Sequence, residues 1–325
     1  MNFINILNHI LRPLEWVVAQ LLTLFHHALV TFGMTAGPSP AWGITIMCLV
    51  LVIRICLLPL FLSQMRAMQR IQVLQPQIQR IQHKYAARKD PRSKEAMQRE
   101  IMALQQRYNA NPLGSCLPSL IQAPILCSLF YTLQSLPAIA DGNAEPLGGI
   151  DHTMAGDIES SSIFGVRIAD SFGTVASPQS RIIIGVAVAL MCLTLFAIQW
   201  MLIHRNTSKD AMVSPQFRVQ KMTVFVFPAI YVVSGATLPF GVLLYWLTNN
   251  LWNLGQTLCQ LRWFPTPGSA AGERKARRDY EQDNRRRAAA GLPSLEEERA
   301  MAAREEAKAR REREKSAASR NRKQH

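Results

Sequence analysis

The stretch LVLVIRICLLPLFL, Leu49 to Leu62, is apolar enough to read as the second half of a membrane helix, yet it carries a charge at Arg54. Apolar residues flank that arginine for several positions on both sides, too far for an easy reach to the lipid headgroups. A charge centred in hydrocarbon costs roughly 2.5–3.5 kcal/mol on insertion scales. Something must solvate the guanidinium or use it.

The rest of the chain places this stretch in a membrane. A hydrophobic content of 49% over 325 residues would suit a soluble protein, but the distribution does not. Apolar residues gather into runs of about 17–23, enough to cross a ~30 Å hydrocarbon core, with the charges between and after them. The net charge of +14 is uneven too. Segment 64–111 has ten Lys/Arg against three Asp/Glu, connector 204–221 four against one, and the tail 262–325 eighteen against eleven. Segment 138–178 has one, Arg167, against six acids. Basic connectors stay in the cytoplasm, so the first three segments are expected inside and 138–178 outside. The positive excess is thus mostly a topology signal, with nucleic-acid binding left open only for the tail.

Five spans follow from the pattern, at 43–62, 115–137, 181–203, 222–240 and 241–262, making an all-α polytopic membrane protein with a five-helix core. Pro118, Pro124 and Pro228 are expected to kink or loosen their helices. An odd number of spans ahead of a cytoplasmic tail puts the start of the first span outside. The N-terminal segment 1–42 contains LEWVVAQLLTLFHHALVTF at 14–32, with Glu15, Gln20, Thr23, His26, His27 and Thr31 on one helical arc. The opposite arc carries Val17, Leu21, Leu24, Phe25 and Phe32, which favours an amphipathic helix lying in the outer interface. A further span, with the N-terminus inside, stays open. GPSP at 37–40 ends the helix either way.

Between the first two spans, 63–114 holds the most legible soluble element. Ile71, Leu74, Ile78, Ile81 and Tyr85 repeat by three and four, as do Met97, Ile101, Leu104 and Tyr108 beyond a turn at Pro91. Two such seams predict an antiparallel coiled-coil hairpin in the cytoplasm, kinked at Pro76, whose Arg-, Lys- and Gln-rich outer faces are either a solvated spacer or a docking surface. The extracytoplasmic loop 138–180 reads as a partly ordered cover. The cytoplasmic loop 204–221 is short, and the tail 263–325 reads as disorder or a solvated charged helix able to touch anionic lipid or RNA.

Chemistry is sparse. The seven histidines make no HExxH, and no phosphate loop or nucleophile elbow is present. Cys48, Cys56, Cys116, Cys127, Cys192 and Cys259 lie in or beside apolar runs without metal or disulfide spacing, and read as core residues. Neither an enzyme, a cofactor, a metal site nor a small-molecule substrate is expected. The spans also lack any Asp or Glu, so Arg54 has no acid evident as a partner, which argues against a proton- or sodium-driven transporter. Gln122 in LIQAP, Gln199 in FAIQW, and Asn249 and Asn250 just beyond Tyr245 and Trp246 are neutral polar residues inside spans. Each alone reads as interhelical glue or an interfacial belt residue. Together with Arg54 they suggest a water-containing cavity whose one fixed charge is positive. A cationic pore and a membrane tether remain as alternatives.

The order of motifs then carries a resemblance. IRICLLPL, MQRIQVLQPQIQRIQHKY, NANPLGSCLPSLIQAPIL, FAIQ and FPAIYVVSGATLPFGVLLYWLTNNLW follow one another around the right spans. Over roughly residues 12–262 the sequence resembles the YidC membrane protein insertases, of the oxidase-assembly insertase family, and within them the Gram-positive and actinobacterial type without a large periplasmic domain. The resemblance implies five core helices around a hydrophilic groove, open to the cytoplasm and to lipid and closed on the outer side. It places Arg54, Gln122, Gln199, Tyr245 and Trp246 in that groove. It also implies insertion of nascent membrane proteins into the bilayer of the bacterial plasma membrane without nucleotide hydrolysis. The ribosome, the Sec translocon and targeting factors would be its partners. One departure stands at Val50, where some relatives carry a hydroxyl one turn before the arginine.

Overall fold

The computed structural model describes residues 3–87, 90–108, 117–209, 211–213 and 215–322. The NANPLGSC part of the third motif, with Cys116, lies outside them. The chain divides into two units, residues 1–270 and 271–325. Among the described residues, four helices are long and apolar enough to cross a membrane, or five if one bent pair counts as a single span. The protein is an all-α polytopic membrane protein.

Helix α1 (Phe3–Thr31) packs against α2 (Ala41–Cys56) and α6 (Leu117–Ala140). Its buried face mixes apolar and polar side chains: Val18 and Leu22 are buried, while His27 and Thr31 of the polar arc stay exposed. Thr23 and His26, from the polar arc, are only 5% and 4% exposed, whereas Trp16, Val17 and Leu24 face outward. Thr23 satisfies its hydroxyl on the carbonyls of Ala19 and Gln20 at 3.2 and 2.9 Å, and the His26 ring stacks on Trp42 at 3.7 Å. Local hydrogen bonding and ring stacking let polar residues face protein, leaving apolar ones for a lipid solvent. By length and composition, Leu11–Thr31 is also one of the helices able to span.

The expected single span at 43–62 is broken. Helix α2 stops at Cys56, and α3 (Leu58–Val73) leaves at an angle of 53°. Proline explains the place: Pro59 has no N–H for the Ile55 carbonyl, and its ring crowds that carbonyl. The Leu57 N–H still reaches Ile53 O at 2.9 Å, and regular bonding resumes from Phe61 to Leu57 at 3.0 Å. Helix α3 therefore runs without interruption from the apolar stretch into the hairpin. It ends at Val73, and Leu74 caps α4 (Gln75–Tyr85), whose first turn holds Pro76. Helix α5 (Pro91–Arg107) starts at Asp90, whose carboxylate caps the Ser93 N–H at 2.8 Å. Leu74 and Ile78 are buried against Ile71, Ile101 and Leu104, and Lys84 pairs with Glu100 at 2.9 Å.

On the opposite side, segment 141–177 is ordered into α7 (His152–Ser160) and a two-residue hairpin, β1 (Ser162–Ile163) with β2 (Val166–Arg167). The hairpin turns at Phe164 and Gly165, both in the left-handed region at φ 57° and 82°. It is clamped to the bundle. The Ile163 side chain lies against Gly43, the Gly241 N–H donates to Ile168 O at 2.9 Å, and Ser180 Oγ donates to Gly165 O at 3.0 Å.

Helices α8 (Pro178–Asn206), α9 (Pro215–Thr237) and α10 (Phe240–Trp263) complete the bundle, α8 packing on both others. Helix α10, expected as the fifth span, is not among those apolar enough to pass on composition, because it carries Thr248, Asn249, Asn250, Asn253, Gln256 and Gln260. Enclosure compensates. It packs against α2 and α8, and Tyr245, Thr248 and Asn250 are buried.

In the second unit the tail is helical, as α11 (Ala270–Ala289) and α12 (Leu295–Arg322). Local pairs support these helices: Lys275 with Asp279 at 2.6 Å and Arg277 with Glu281 at 2.9 Å. Ser294 and Glu297 form a reciprocal capping box at the start of α12, with bonds of 2.9 and 3.2 Å.

Candidate functional site

Helix α10 assembles the polar centre of the bundle. Tyr245 and Asn249 are one turn apart and share a face, while Trp246 and Asn250 occupy the adjacent one. From α2, the Arg54 Nε donates to Asn249 Oδ1 at 2.8 Å, and Nη2 donates to the same oxygen. From α6, Gln122 Nε2 donates to the Tyr245 hydroxyl. Arg54 and Tyr245 also lie within electrostatic reach of each other, so the four residues form one cluster drawn from three helices. On the adjacent face, the Trp246 ring stacks on Tyr231 of α9 at 5.1 Å.

Arg54 is held by a partner. It is half-buried, and it sits in the last turn of α2, where unpaired carbonyls favour a cation. The break at Leu57 is what ends α2 there. The sequence offers Arg54 no acid in the spans, and the partner it finds is a neutral amide 195 residues away in the chain. Val50, one turn earlier, is buried in the apolar core.

Of the expected groove residues, Arg54, Gln122 and Tyr245 come together, and Trp246 stands beside them on α10. Gln199 is half-buried on α8, and no hydrogen bond joins it to the others among the described residues. Asn249 was visible in the sequence only as a polar span residue. Its i, i+4 spacing from Tyr245 was the available signal. Among the described residues, no group of three His, Cys, Asp or Glu is placed to hold a metal.

Towards the hairpin, α10 also contributes to a separate cleft of about 560 Å³. Phe61 and Met65 of α3, Ile101 of α5, Leu202 of α8, Phe217 of α9 and Gln260 of α10 contribute to its lining. Gln260 lies eleven residues beyond Asn249, about 16 Å along α10 at 1.5 Å per residue. No ionisable side chain is among the residues that line it.

A polytopic helical bundle with a half-buried, neutral-partnered arginine at its centre defines a membrane protein with a polar interior. Comparison with known proteins sharpens that class. The family model described as 60Kd inner membrane protein matches residues 34–266. A Bifidobacterium longum protein named membrane protein insertase YidC is 44% identical over 94% of this chain and 90% of its own length. Proteins of the same name from Streptomyces avermitilis and Tropheryma whipplei (strain Twist) are 34% and 30% identical, over 82% and 84% of this chain and 61% and 90% of their own lengths. The chain belongs to the YidC family of bacterial multi-pass membrane proteins.

Proposed function

We propose that the chain is a membrane protein insertase whose Arg54 cluster receives the polar segment of a newly made membrane protein. The observation that carries this reading is the half-buried guanidinium whose hydrogen-bond partner, Asn249, is neutral, in spans that hold no carboxylate. A positive field inside the bundle attracts a short, often acidic segment arriving from the cytoplasm. The cleft beneath the hairpin supplies an approach along α3 and α10. Gln122 and Tyr245 shape the inner wall of the groove, and Gln199 and Trp246 line its flank.

The apolar part of the substrate partitions sideways into lipid, gaining about 25 cal/mol per Å² of apolar surface removed from water. The groove spares the polar part much of the desolvation cost of crossing hydrocarbon. No nucleotide hydrolysis enters this scheme. The basic hairpin and tail lie in the cytoplasm, recruit the ribosome and targeting factors, and bring the protein beside the Sec translocon. The start of the first core span lies outside, under the clamped β1–β2 cover.

Insertion into liposomes holding the purified chain, with no solute gradient, tests the reading. Arg54→Ala and Arg54→Glu should lose insertion of single-span substrates with acidic translocated segments while still folding. Wild-type insertion by both variants sinks the proposal.

A further inference from the structure

Arg54 has five N–H donors, and the Asn249 carbonyl oxygen takes one edge of the fork, through Nε and Nη2. Among the described residues nothing takes Nη1, which is left for a ligand. A carboxylate in the same place would accept the same pair of bonds with charge assistance, and more strongly. The residue that stands there makes the bonds without cancelling the charge. We propose that Asn249 is a positioning and specificity-determining residue: its neutral oxygen fixes the guanidinium while leaving the full positive charge to select incoming segments by sign. This rests on the insertase reading of the groove.

Geometry supports the assignment. Asn249 is held on α10, which packs against α2 and α8 and carries Tyr245 one turn earlier, itself hydrogen-bonded to Gln122 of α6. The amide is therefore carried by a helix packed against two others. Arg54 comes from the end of α2, next to the break at Leu57, where its own helix offers less restraint. A long, flexible side chain at a helix end needs an external anchor to hold one direction, and Asn249 supplies it without neutralising it.

Three single-span substrates differing only in the translocated segment, with two Asp, two Asn or two Lys, make the test in liposomes holding the full chain. Asn249→Asp keeps shape and bonds but closes the charge. The Asp substrate should then lose at least about tenfold in insertion rate relative to the Asn substrate, with the Lys substrate unchanged or faster. Wild-type ratios among the three overturn the proposal. Asn249→Ala keeps the charge but frees the fork, so it should slow the Asp substrate several-fold and leave the order of the three intact. An equal slowing of all three overturns the positioning role, and this second variant decides if the aspartate variant does not fold. Arg54→Gln separates the two readings. If it flattens the ratios and Asn249→Asp does not, only this inference fails. If it too keeps wild-type ratios, the groove reading fails with it.

Discussion

Tyr245 and Asn249 stand one turn apart on α10, and each binds a side chain from a different helix, Gln122 from α6 and Arg54 from α2. The helix is thus the common anchor of the polar centre. Changes along it should be felt as stability first and as altered substrate handling second.

Tyr245→Phe removes the acceptor for Gln122 at a residue only 1% exposed. The stranded amide should lower stability by about 1–3 kcal/mol, read as a lower melting temperature in detergent. Adding Gln122→Leu should recover part of that loss, since both polar partners are then gone. If the double variant melts below the Tyr245→Phe variant by the full cost of a second independent lesion, the hydrogen bond is not the link.

Pro59→Ala restores an N–H opposite Ile55 O and should reduce the 53° bend between α2 and α3. Spin labels carried by unnatural amino acids at Gln98, on the hairpin, and Asn143, just beyond α6, report the change as a shift in their distance distribution. An unchanged distribution would mean that packing, not the missing hydrogen bond, sets the angle.

Gly235 allows α9 to lie close on α8. A Cβ built there would overlap Val188 Cγ2, so Gly235→Ala forces the helices apart or twists a stiff β-branched side chain. Destabilisation of about 1–3 kcal/mol is expected, with rescue by Val188→Ala. Thermal unfolding of the single and double variants measures both.

At the start of α12, hydrogen bonds from the Ser294 N–H and hydroxyl hold the Glu297 carboxyl below the usual carboxylate range. A depressed folded pKa stabilises the cap above the unfolded value, and that contribution is lost as pH falls through the folded value. Fraying of the first turn of α12 should therefore appear only in acid. Ser294→Ala should produce it at neutral pH, seen as lost amide-exchange protection at Glu296 to Glu298. Equal protection in variant and parent at neutral pH would remove the cap from the account.

How far these features were legible beforehand depended on whether neighbours in the chain or distant residues create them. The apolar runs, the basic and acidic connectors and the three-four seam of the hairpin are local patterns, and they outlined the helical bundle. The break at Leu57 lay hidden in an unbroken apolar run, although Pro59 four residues after Ile55 was its chemical cause. On α1, the arc reading was right about which residues are polar. It could not tell that ring stacking on Trp42 and backbone bonding by Thr23 would turn those residues inward. The Arg54–Asn249 bond joins positions 195 apart, and no local pattern announces it. Helix α10 is the clearest case of context overriding composition, since its amides are tolerated because other helices surround them.

The break at Leu57 has a mechanical meaning. Helix α3 is one rod with the break three residues from the guanidinium at one end and the base of the helical hairpin at the other. A force on that hairpin works on the break through a lever arm, so the seat of the half-buried cation is mechanically joined to an element far along the chain from it.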